Sequence, residues 1–503
     1  MKANQTNGLR RVRRIILALA VCLAGIASVT STFAAPAPNF IVVLADDLGY
    51  NDIGCYGSPL IKTPHIDQMA HEGVRFTSFY VGAPVCSPSR AALLTGCYPP
   101  RVGMGDELCN QICYGGVVEK SYVKVVHSGS TLGLNPDEVI IPEVLKPAGY
   151  YSGIIGKWHL GDAPEFNPVR QGFDSFFGVP YSNDMKPFYF IEQTERLDAA
   201  PVMDELTSTY TAHALRFIED HKDKPFFLYL AHNMPHTPLT PGKRFAGKSP
   251  RGLYGDAVEE IDWSIGEIIK KLKETGLDQR TLVIFLSDNG PWLVKGENGG
   301  SATPLRNGKT SSYEGGFRVP CVMWGPGIVK NGGRVCDEVV TAMDFLPTFA
   351  ALAGVELNPT RKIDGKNVAD VVTGKPGAAS PWDHFFYYFG TELHAVRRGD
   401  WKLRAQNILF NEDIYRRDEF TSAPIPAALY NLALDPGEQK SVLKQHGKIQ
   451  AQLEGLLDRE RRELGDTLTG VSGSENRGPG HSDNPVNAAD EKVVKGKKRK
   501  SQK

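Results

Sequence analysis

The sequence predicts an α/β fold, in which a large and mostly parallel β-sheet is flanked by helices, followed by a smaller C-terminal α+β subdomain with an antiparallel sheet. Helical patterns at residues 207–221 and 256–275 alternate with short apolar runs, and this alternation indicates an α/β sandwich. The runs are rich in β-branched and aromatic residues, as in strands buried on both faces of a parallel sheet. They span residues 40–45, 154–155, 226–231 and 282–286.

The second sheet is predicted from a change of pattern after about Gly374. A closing helix is expected over about 444–464, and the sequence from residue 467 is polar, with a basic stretch at 495–500. This last composition is typical of a disordered tail. The strand-like runs of the second sheet span residues 385–389, 394–398, 401–403 and 429–432.

Length and charge limit the possible functions. The chain has 503 residues, of which 41% are hydrophobic, so it can bury a large core. Lys and Arg number 57, and Asp and Glu also number 57. Because the net charge is zero, no general field attracts the protein to nucleic acid or to an acidic membrane. We expect no nucleic-acid partner, and any anion should be bound by a local group of charges.

The first 35 residues have the pattern of a secretory signal peptide. Four arginines within residues 10–14 precede an apolar run from Ile15 to about Val29, and small residues follow up to Ala35. The run is short for a membrane span. We therefore expect export, to the periplasm or the medium, without a stable membrane anchor.

Eight cysteines are present, and two of them stand apart: Cys22 within the signal peptide and Cys86 in the motif described below. The other six are an even number, which in an exported chain allows disulfides in any of 15 pairings. Buried free thiols are the alternative. These six residues are Cys55, Cys97, Cys109, Cys113, Cys321 and Cys336.

Polar side chains follow each of the four apolar runs of the main sheet. Taken singly, such residues are common in turns and helix caps. Ligands in open α/β sheets, however, bind beyond the carboxyl ends of the strands, so four polar ends together predict one site. In chain order they are Asp46-Asp47, Lys157-Trp158-His159, His232 with His236, and Asp288-Asn289-Gly290.

The segment from Cys86 to Gly96 reads Cys-Ser-Pro-Ser-Arg-Ala-Ala-Leu-Leu-Thr-Gly. Pro88 suits the first turn of a helix that the following residues continue, so Cys86 lies at a helix N-terminus, where an anion is favoured. A redox thiol of low pKa and a structural cysteine in a helix cap are the competing interpretations. The segment resembles the sulfatase signature, in which Cys-x-Pro-x-Arg begins a helix that ends in Thr-Gly.

The resemblance extends from about residue 39 to 443 and is closest to the arylsulfatase A and N-acetylgalactosamine-6-sulfatase branch of the alkaline-phosphatase-like superfamily. It implies that a maturation enzyme oxidises Cys86 to formylglycine, whose hydrate is the nucleophile. It also implies a metal site, and calcium suits a set of hard oxygen ligands. The implied ligands are Asp46, Asp47, Asp288, Asn289 and the modified Cys86.

The resemblance also assigns the remaining site residues. Arg90, Lys157 and Lys309 would surround the sulfate, and Ser182 would contact it. His159 would be the base that releases sulfate, and Lys309 or His236 would protonate the departing oxygen. His232 is an additional candidate that we interpret as structural.

The predicted function is therefore a sulfuric ester hydrolase that releases inorganic sulfate from a sulfated carbohydrate or an aryl sulfate through a sulfo-enzyme intermediate. A phosphonate or phosphate ester hydrolase of the same superfamily is one alternative, and an inactive sulfated-glycan-binding protein is another. Substrate choice is expected to depend on residues 104–131 and on the region around His394. The predicted parts are a signal peptide over 1–35, a catalytic domain over 36–375, a C-terminal subdomain over 376–466 and a disordered basic tail over 467–503.

Overall fold

A ten-stranded sheet forms the centre of the main domain. The computed structural model describes residues 37–105, 113–114, 117–118, 125–358, 360–406 and 425–484. In chain order the strands of this sheet are Asn39–Ala45 (β1), Val74–Phe76 (β2), Tyr151–Lys157 (β3), Ser175–Val179 (β4), Ile191–Glu192 (β5), Glu195–Arg196 (β6), Phe226–Ala231 (β7), Thr281–Ser287 (β8), Cys321–Trp324 (β9) and Arg334–Cys336 (β10).

The strands lie side by side in the order β6-β5-β4-β3-β7-β1-β8-β9-β2-β10. Within this order β4, β3, β7, β1 and β8 are parallel neighbours. Antiparallel strands extend the sheet on both sides, because β9 pairs antiparallel with β8 and β5 pairs antiparallel with β4. The predicted fold class, a mostly parallel sheet, is confirmed.

Burial on both faces explains why the strands of the main sheet are continuous apolar runs. In β1, Phe40, Val42 and Leu44 pack into the hydrophobic cluster on one face. Ile41 and Val43 pack into the cluster on the other face. Side chains alternate between the two faces of a strand, so a strand covered on both sides is apolar throughout.

Helices cover both faces of this sheet. α1, α4 and α5 contribute to one hydrophobic cluster, whereas α2, α3, α7 and α8 contribute to the other. The predicted helices over 207–221 and 256–275 correspond to α4 and α5. The helices are Pro64–Glu72 (α1), Cys86–Thr95 (α2), Ile141–Leu145 (α3), Leu206–Asp220 (α4), Leu253–Glu274 (α5), Glu314–Phe317 (α6), Phe345–Ala353 (α7), Ala369–Thr373 (α8) and Gly447–Leu464 (α9).

The smaller sheet is antiparallel, as predicted, with its four strands in chain order. Helix α9 packs against it. A shared hydrophobic cluster joins this sheet to the main domain, since Phe385 and Tyr387 pack with Tyr80 and Phe317. The strands are Phe385–Phe389 (β11), Glu392–Arg398 (β12), Trp401–Arg404 (β13) and Ala428–Asn431 (β14).

Residues 465–484, which we call the C-terminal strap, lie against the main domain, whereas disorder was predicted from residue 467. Gly480–His481 pairs with Leu132–Gly133. Arg477 binds Glu138 through two contacts, Nε to Oε1 at 2.7 Å and Nη2 to Oε2 at 3.1 Å. Composition predicted disorder because few apolar residues are present, but charged and backbone hydrogen bonds hold the strap. Residues 485–503, with the basic stretch 495–500, lie outside the described residues.

Short two-stranded pairings and short 3-10 helices complete the described secondary structure. Four of the six cysteines considered for disulfides, namely Cys55, Cys97, Cys321 and Cys336, are free thiols, and the side chains of the other two are not described. Of the helices in the described part of the chain, none is long and apolar enough to cross a membrane. The predicted signal peptide lies outside the described residues. The remaining pairings join Phe79–Tyr80 to Val340–Thr341, Gly465–Asp466 to Val471–Ser472, and Cys113–Tyr114 to Val117–Val118.

Candidate active site

The polar residues that follow β1, β3 and β8 meet at one edge of the main sheet, and His236, which follows β7, joins them. The backbone N–H of Asp288 donates to the carbonyl of Ala45, the last residue of β1. The N–H of Asp46 donates to the carbonyl of Met234 after β7. The parallel register of these neighbouring strands therefore brings distant segments of the sequence into one buried cluster.

Cys86 is the first residue of α2 and points into this cluster. Its Sγ lies 3.4 Å from Asp46 Oδ1, 3.9 Å from Asp47 Oδ1 and 3.2 Å from Lys309 Nζ. Burial raises the pKa of the thiol, although Lys157 and Lys309 oppose the effect. A redox cysteine needs a lowered pKa, so that alternative interpretation is not supported.

Three carboxylates surround the thiol, and their arrangement fits a divalent cation. Ligand atoms of Asp46, Asp47, Asp288 and Cys86 all lie within 4.8 Å of one another. Asn289 donates its amide N–H to Asp47 Oδ1 at 2.8 Å, whereas its Oδ1 is buried without a hydrogen-bond partner in the described structure. An unpartnered buried amide oxygen beside three carboxylates is the donor set of a hard-cation site.

The carboxylates differ in their electrostatic surroundings. Burial raises the pKa of Asp46, but Lys157, His236 and Arg90 lower it more, and the net pKa lies well below its ordinary value. Burial and the nearby Asp46 raise the pKa of Asp288 to about 6, although Arg90 opposes them. A bound cation would therefore stabilise the ionised form of Asp288.

Three cationic side chains balance the three carboxylates. Arg90 binds Asp288 Oδ2 through Nε at 3.0 Å and Nη2 at 2.8 Å, and its Nη1 donates to the carbonyl of Lys157 at 2.9 Å. The Nζ of Lys157 lies 2.5 Å from Asp46 Oδ2. The Nζ of Lys309 lies 2.7 Å from Asp47 Oδ1, and this carboxylate raises the lysine pKa despite an opposing effect of burial. Cations thus lie beside the thiol, as recognition of an anionic ester requires.

His159 is held as a neutral imidazole with one nitrogen available. Its Nε2 lies 2.9 Å from the carbonyl of Val126, and its Nδ1 has no partner in the described part of the structure. Because a carbonyl only accepts hydrogen bonds, Nε2 carries the proton and Nδ1 keeps its lone pair. Burial, followed by Lys157, lowers the pKa of this imidazole well below its ordinary value.

His236 lies beside Asp47. Its Nδ1 is 2.6 Å from the carbonyl of Thr237, so this nitrogen is the donor, and its Nε2 lies 3.7 Å from Asp47 Oδ2. Burial and Lys309 lower the pKa of His236, whereas Asp47 raises it. The ring centroid lies 5.2 Å from that of Trp292.

Ser182 and His232, the other two predicted residues, occupy different positions relative to the charged cluster. Ser182 is buried in the segment after β4, two residues beyond Pro180, whose carbonyl accepts the N–H of His159. His232 is turned away from the cluster: it is fully buried with its Nε2 3.5 Å from Ser264 Oγ. This position agrees with the structural interpretation of His232.

Several contacts of the site were not predicted from the sequence. Trp292 packs against Lys309, with Nζ 4.6 Å from the ring centroid. Ser87 accepts the N–H of Val126 at 3.0 Å and so holds the segment that orients His159. Phe389, from the smaller sheet, packs with Cys86. Among these residues only Trp292 could have been linked to the site from the sequence, because it follows the predicted metal ligands Asp288 and Asn289 by three residues.

Comparison with known proteins gives consistent matches over most of the chain. The Sulfatase family matches residues 38–355, and the N-sulphoglucosamine sulphohydrolase C-terminal family matches 308–463. Human arylsulfatase A is 37% identical over 469 residues, with 86% of each chain covered. N-acetylgalactosamine-6-sulfatase of Canis lupus familiaris is 36% identical over 442 residues, covering 80% of this chain and 81% of the relative.

A solved structure shows the same architecture. The crystal structure of Ps i-CgsB in complex with k-i-k-neocarrahexaose superposes with a TM-score of 0.72 at 28% identity, covering 89% of this chain and 95% of that one. The fold and the charged cluster together define an ester hydrolase of the alkaline-phosphatase-like class. The chain belongs to the sulfatase family and is a sulfuric ester hydrolase, similar in sequence to arylsulfatase A and N-acetylgalactosamine-6-sulfatase.

Proposed function

We propose that the protein is an exported, calcium-dependent sulfatase that uses formylglycine at position 86 to release sulfate from a sulfated carbohydrate. The observation that carries this proposal is the position of the Cys86 side chain, 3.4 Å from Asp46 Oδ1 and 3.2 Å from Lys309 Nζ. A nucleophile at this point faces both a cation site and a cationic proton donor. A nearby cation favours attack on an anionic ester, and a proton donor assists the departure of a poor leaving group.

Oxidation of Cys86 explains how turnover is completed. The hydrated aldehyde supplies two hydroxyls on one carbon, one for attack on sulfur and one for the later expulsion of sulfate. The Nδ1 lone pair of His159, which is free because Nε2 binds the Val126 carbonyl, accepts the proton of the second hydroxyl. The proposal requires a formylglycine-generating maturation enzyme as a partner.

Calcium is the proposed metal because the available ligands are oxygen atoms of three carboxylates and one amide. Asp46, Asp47, Asp288 and Asn289 would hold it, together with the modified residue 86. When bound, the ion supplies charge to a sulfate oxygen and lowers the pKa of the attacking hydroxyl.

The cationic side chains have separate proposed roles. Arg90 and Lys157 stabilise the charge on the non-bridging oxygens of sulfate, and the hydroxyl of Ser182 contacts the sulfate. Lys309 protonates the departing oxygen, with His236 beside it as the second candidate. Lys309 is the first candidate because its Nζ lies 3.2 Å from Cys86 Sγ, whereas His236 Nε2 lies 3.7 Å from Asp47 Oδ2.

The substrate class rests on the similar proteins and on the predicted export. The relatives include a sulfatase of N-acetylgalactosamine and a structure with a bound oligosaccharide. Val85, Val125 and Phe389 pack with Cys86 in a small buried apolar cluster, so the nucleophile borders apolar as well as charged side chains. A sulfated carbohydrate is therefore the proposed substrate, and a sulfated aryl compound is a convenient probe.

The test is a comparison of wild-type protein with Cys86→Ser and Cys86→Ala. Formylglycine is detected by peptide mass in the tryptic fragment 76–90, which contains Cys86. Cys86→Ser, made in a host that cannot oxidise serine, should release one equivalent of alcohol or phenol and then stop, because its sulfate ester has no second hydroxyl. Cys86→Ala should release none. Sustained turnover by Cys86→Ser without an aldehyde would refute the proposed nucleophile.

Paired aryl sulfate and aryl phosphate substrates distinguish the main alternative. We expect preferential turnover of the sulfate, whereas a phosphonate or phosphate ester hydrolase would prefer the phosphate. Absence of turnover in protein with verified formylglycine would instead favour a sulfated-glycan-binding protein.

A further inference from the structure

We propose that Lys402, from the smaller sheet, is a positioning residue that holds the loop carrying Lys309 in its catalytic place. The inference rests on the role proposed above for Lys309 as the proton donor to the leaving group. It assigns part of the catalytic apparatus to the C-terminal subdomain, through a lysine that does not touch the substrate.

The loop that carries Lys309 has an unfavourable backbone conformation. Asn307 and Thr310, on either side of Lys309, have φ angles of 57° and 71°. This left-handed region is tolerated by asparagine but costs energy for a β-branched residue such as Thr310, and such geometry persists where the surroundings hold it. Two backbone hydrogen bonds fix the middle of the loop: Lys309 N–H donates to Pro291 O at 2.9 Å, and Thr310 N–H donates to Pro84 O at 2.8 Å.

Lys402 fixes the end of this loop. Its Nζ donates to the carbonyl of Ser312 at 2.9 Å, three residues beyond Lys309, and to Glu314 Oε1 at 3.0 Å. The same ammonium lies 2.9 Å from Glu438 Oε1 in an ion pair. One side chain of the smaller sheet thus contacts the Lys309 loop directly and also joins it to Glu438.

Glu438, in the turn that follows β14, also binds the Lys309 loop. Its Oε2 accepts the N–H of Glu314 at 2.6 Å, and its carbonyl accepts Arg306 Nη1 at 3.1 Å. Arg306 and Glu314 are the two ends of the loop, and Gly315 N–H also donates to the Arg306 carbonyl at 2.8 Å. The loop is therefore closed at both ends by groups that Lys402 and Glu438 hold together.

The burial of this group indicates a specific role. Lys402, Glu314 and Glu438 are each fully buried, and Tyr80 and Tyr387 donate to Glu314 at 2.6 and 2.7 Å. Charged side chains are almost never buried completely unless they are paired, and such groups add little net stability compared with apolar packing. Fixing the geometry of Lys309 is a function that an apolar replacement cannot supply.

The size of the effect follows from the geometry that proton transfer needs. A proton donor displaced by about 1 Å loses on the order of a hundredfold in rate. We expect Lys402→Met to lower kcat by about ten- to a hundredfold for an alkyl or sugar sulfate, whose alcohol is a poor leaving group. The loss should be smaller for an aryl sulfate with an acidic phenol, which leaves without protonation. A general loss of active enzyme would affect both substrates equally.

The experiment is a double-mutant cycle between Lys402→Met and Lys309→Ala, measured with both substrates on protein of verified formylglycine content. If Lys402 acts through Lys309, then Lys402→Met changes kcat by less than about twofold in the Lys309→Ala background. An equal fractional loss in both backgrounds, or an equal loss with both substrates, would overturn the inference. If Lys309→Ala itself shows no dependence on the leaving group, the proposed role of Lys309 is wrong, while the cycle still reports whether the two lysines are coupled.

Two further variants control for folding. Lys402→Met with Glu438→Gln removes the lysine without leaving Glu438 charged and unpaired, and it should show the same dependence on the leaving group. Arg101→Met breaks another buried ion cluster, in which Arg101 binds Asp364 at 2.7 Å and Glu463 at 2.6 Å. The stability of Arg101→Met should fall, whereas the ratio of kcat for the alkyl or sugar sulfate to kcat for the aryl sulfate should stay as in the wild type. A changed ratio in Arg101→Met would overturn the assignment to Lys402.

Discussion

His232 is expected to make the folded protein sensitive to acid, independently of catalysis. Its side chain is fully buried, its Nε2 has only a long contact of 3.5 Å to Ser264 Oγ, and its Nδ1 has no partner in the described structure. Burial lowers its pKa from 6.5 to about 3. A charged imidazole is therefore excluded from the folded state over most of the acid range.

The sign of the effect follows from proton binding. Below pH 6.5 the unfolded chain binds a proton at His232, whereas the folded protein does so only below about pH 3. The free energy of unfolding therefore falls as the pH falls through this interval. Between the two pKa values, each pH unit changes the free energy of unfolding by about 1.4 kcal/mol. The loss of stability between pH 6.5 and about 4.5 is therefore on the order of 2–3 kcal/mol.

The perturbation that tests this expectation is His232→Phe, which keeps a planar ring and removes the titrating group. Urea unfolding at a fixed calcium concentration gives the free energy of unfolding from about pH 8 to about pH 4.5. The variant should lose less stability than the wild type across this range, and the difference at the alkaline end reports packing alone. Parallel loss of stability in the two proteins would refute the reasoning.

Two further predictions concern the metal site and the C-terminal strap. Chelation should abolish turnover and lower Tm, because ligand oxygens of Asp46, Asp47 and Asp288 lie within 4.8 Å of one another and a bound cation would offset the repulsion that remains between them. Added Ca²⁺ should restore both turnover and Tm. Asn289→Leu should raise the Ca²⁺ concentration required, as measured by calorimetry. Full activity after exhaustive chelation would contradict the site. Arg477→Met should lower the free energy of unfolding by about 1–3 kcal/mol, because it leaves the buried Glu138 with one ion pair fewer; an unchanged urea midpoint would show that the strap adds no stability.

The parts of the fold that could be predicted are those in which a short stretch of sequence indicates how its side chains are buried. The run over 40–45 is apolar throughout because both faces of β1 are covered. Asp46-Asp47 and Asp288-Asn289 stood out because they follow such runs directly, and parallel strands place their ends at one edge. Cys86 was found because a helix start and a specific motif coincide in eleven residues.

The parts that could not be predicted depend on contacts between distant segments. Lys402 is one polar residue in a short strand, and nothing within 401–404 indicates that it contacts Ser312, 90 residues away in sequence. The strap was predicted to be disordered because its composition is polar, but Arg477 meets Glu138 across 339 residues. A charged side chain can be buried only where another group pairs with it, and the amino-acid composition of a segment does not show which distant residue that is.

Formylglycine at position 86 is the proposed nucleophile. The most direct measurement compares the fraction of fragment 76–90 that carries the aldehyde with kcat for an aryl sulfate, across preparations matured to different extents. We expect a straight line through the origin, with no activity in protein that retains the Cys86 thiol. Undiminished turnover by protein whose Cys86 is entirely unmodified would contradict it.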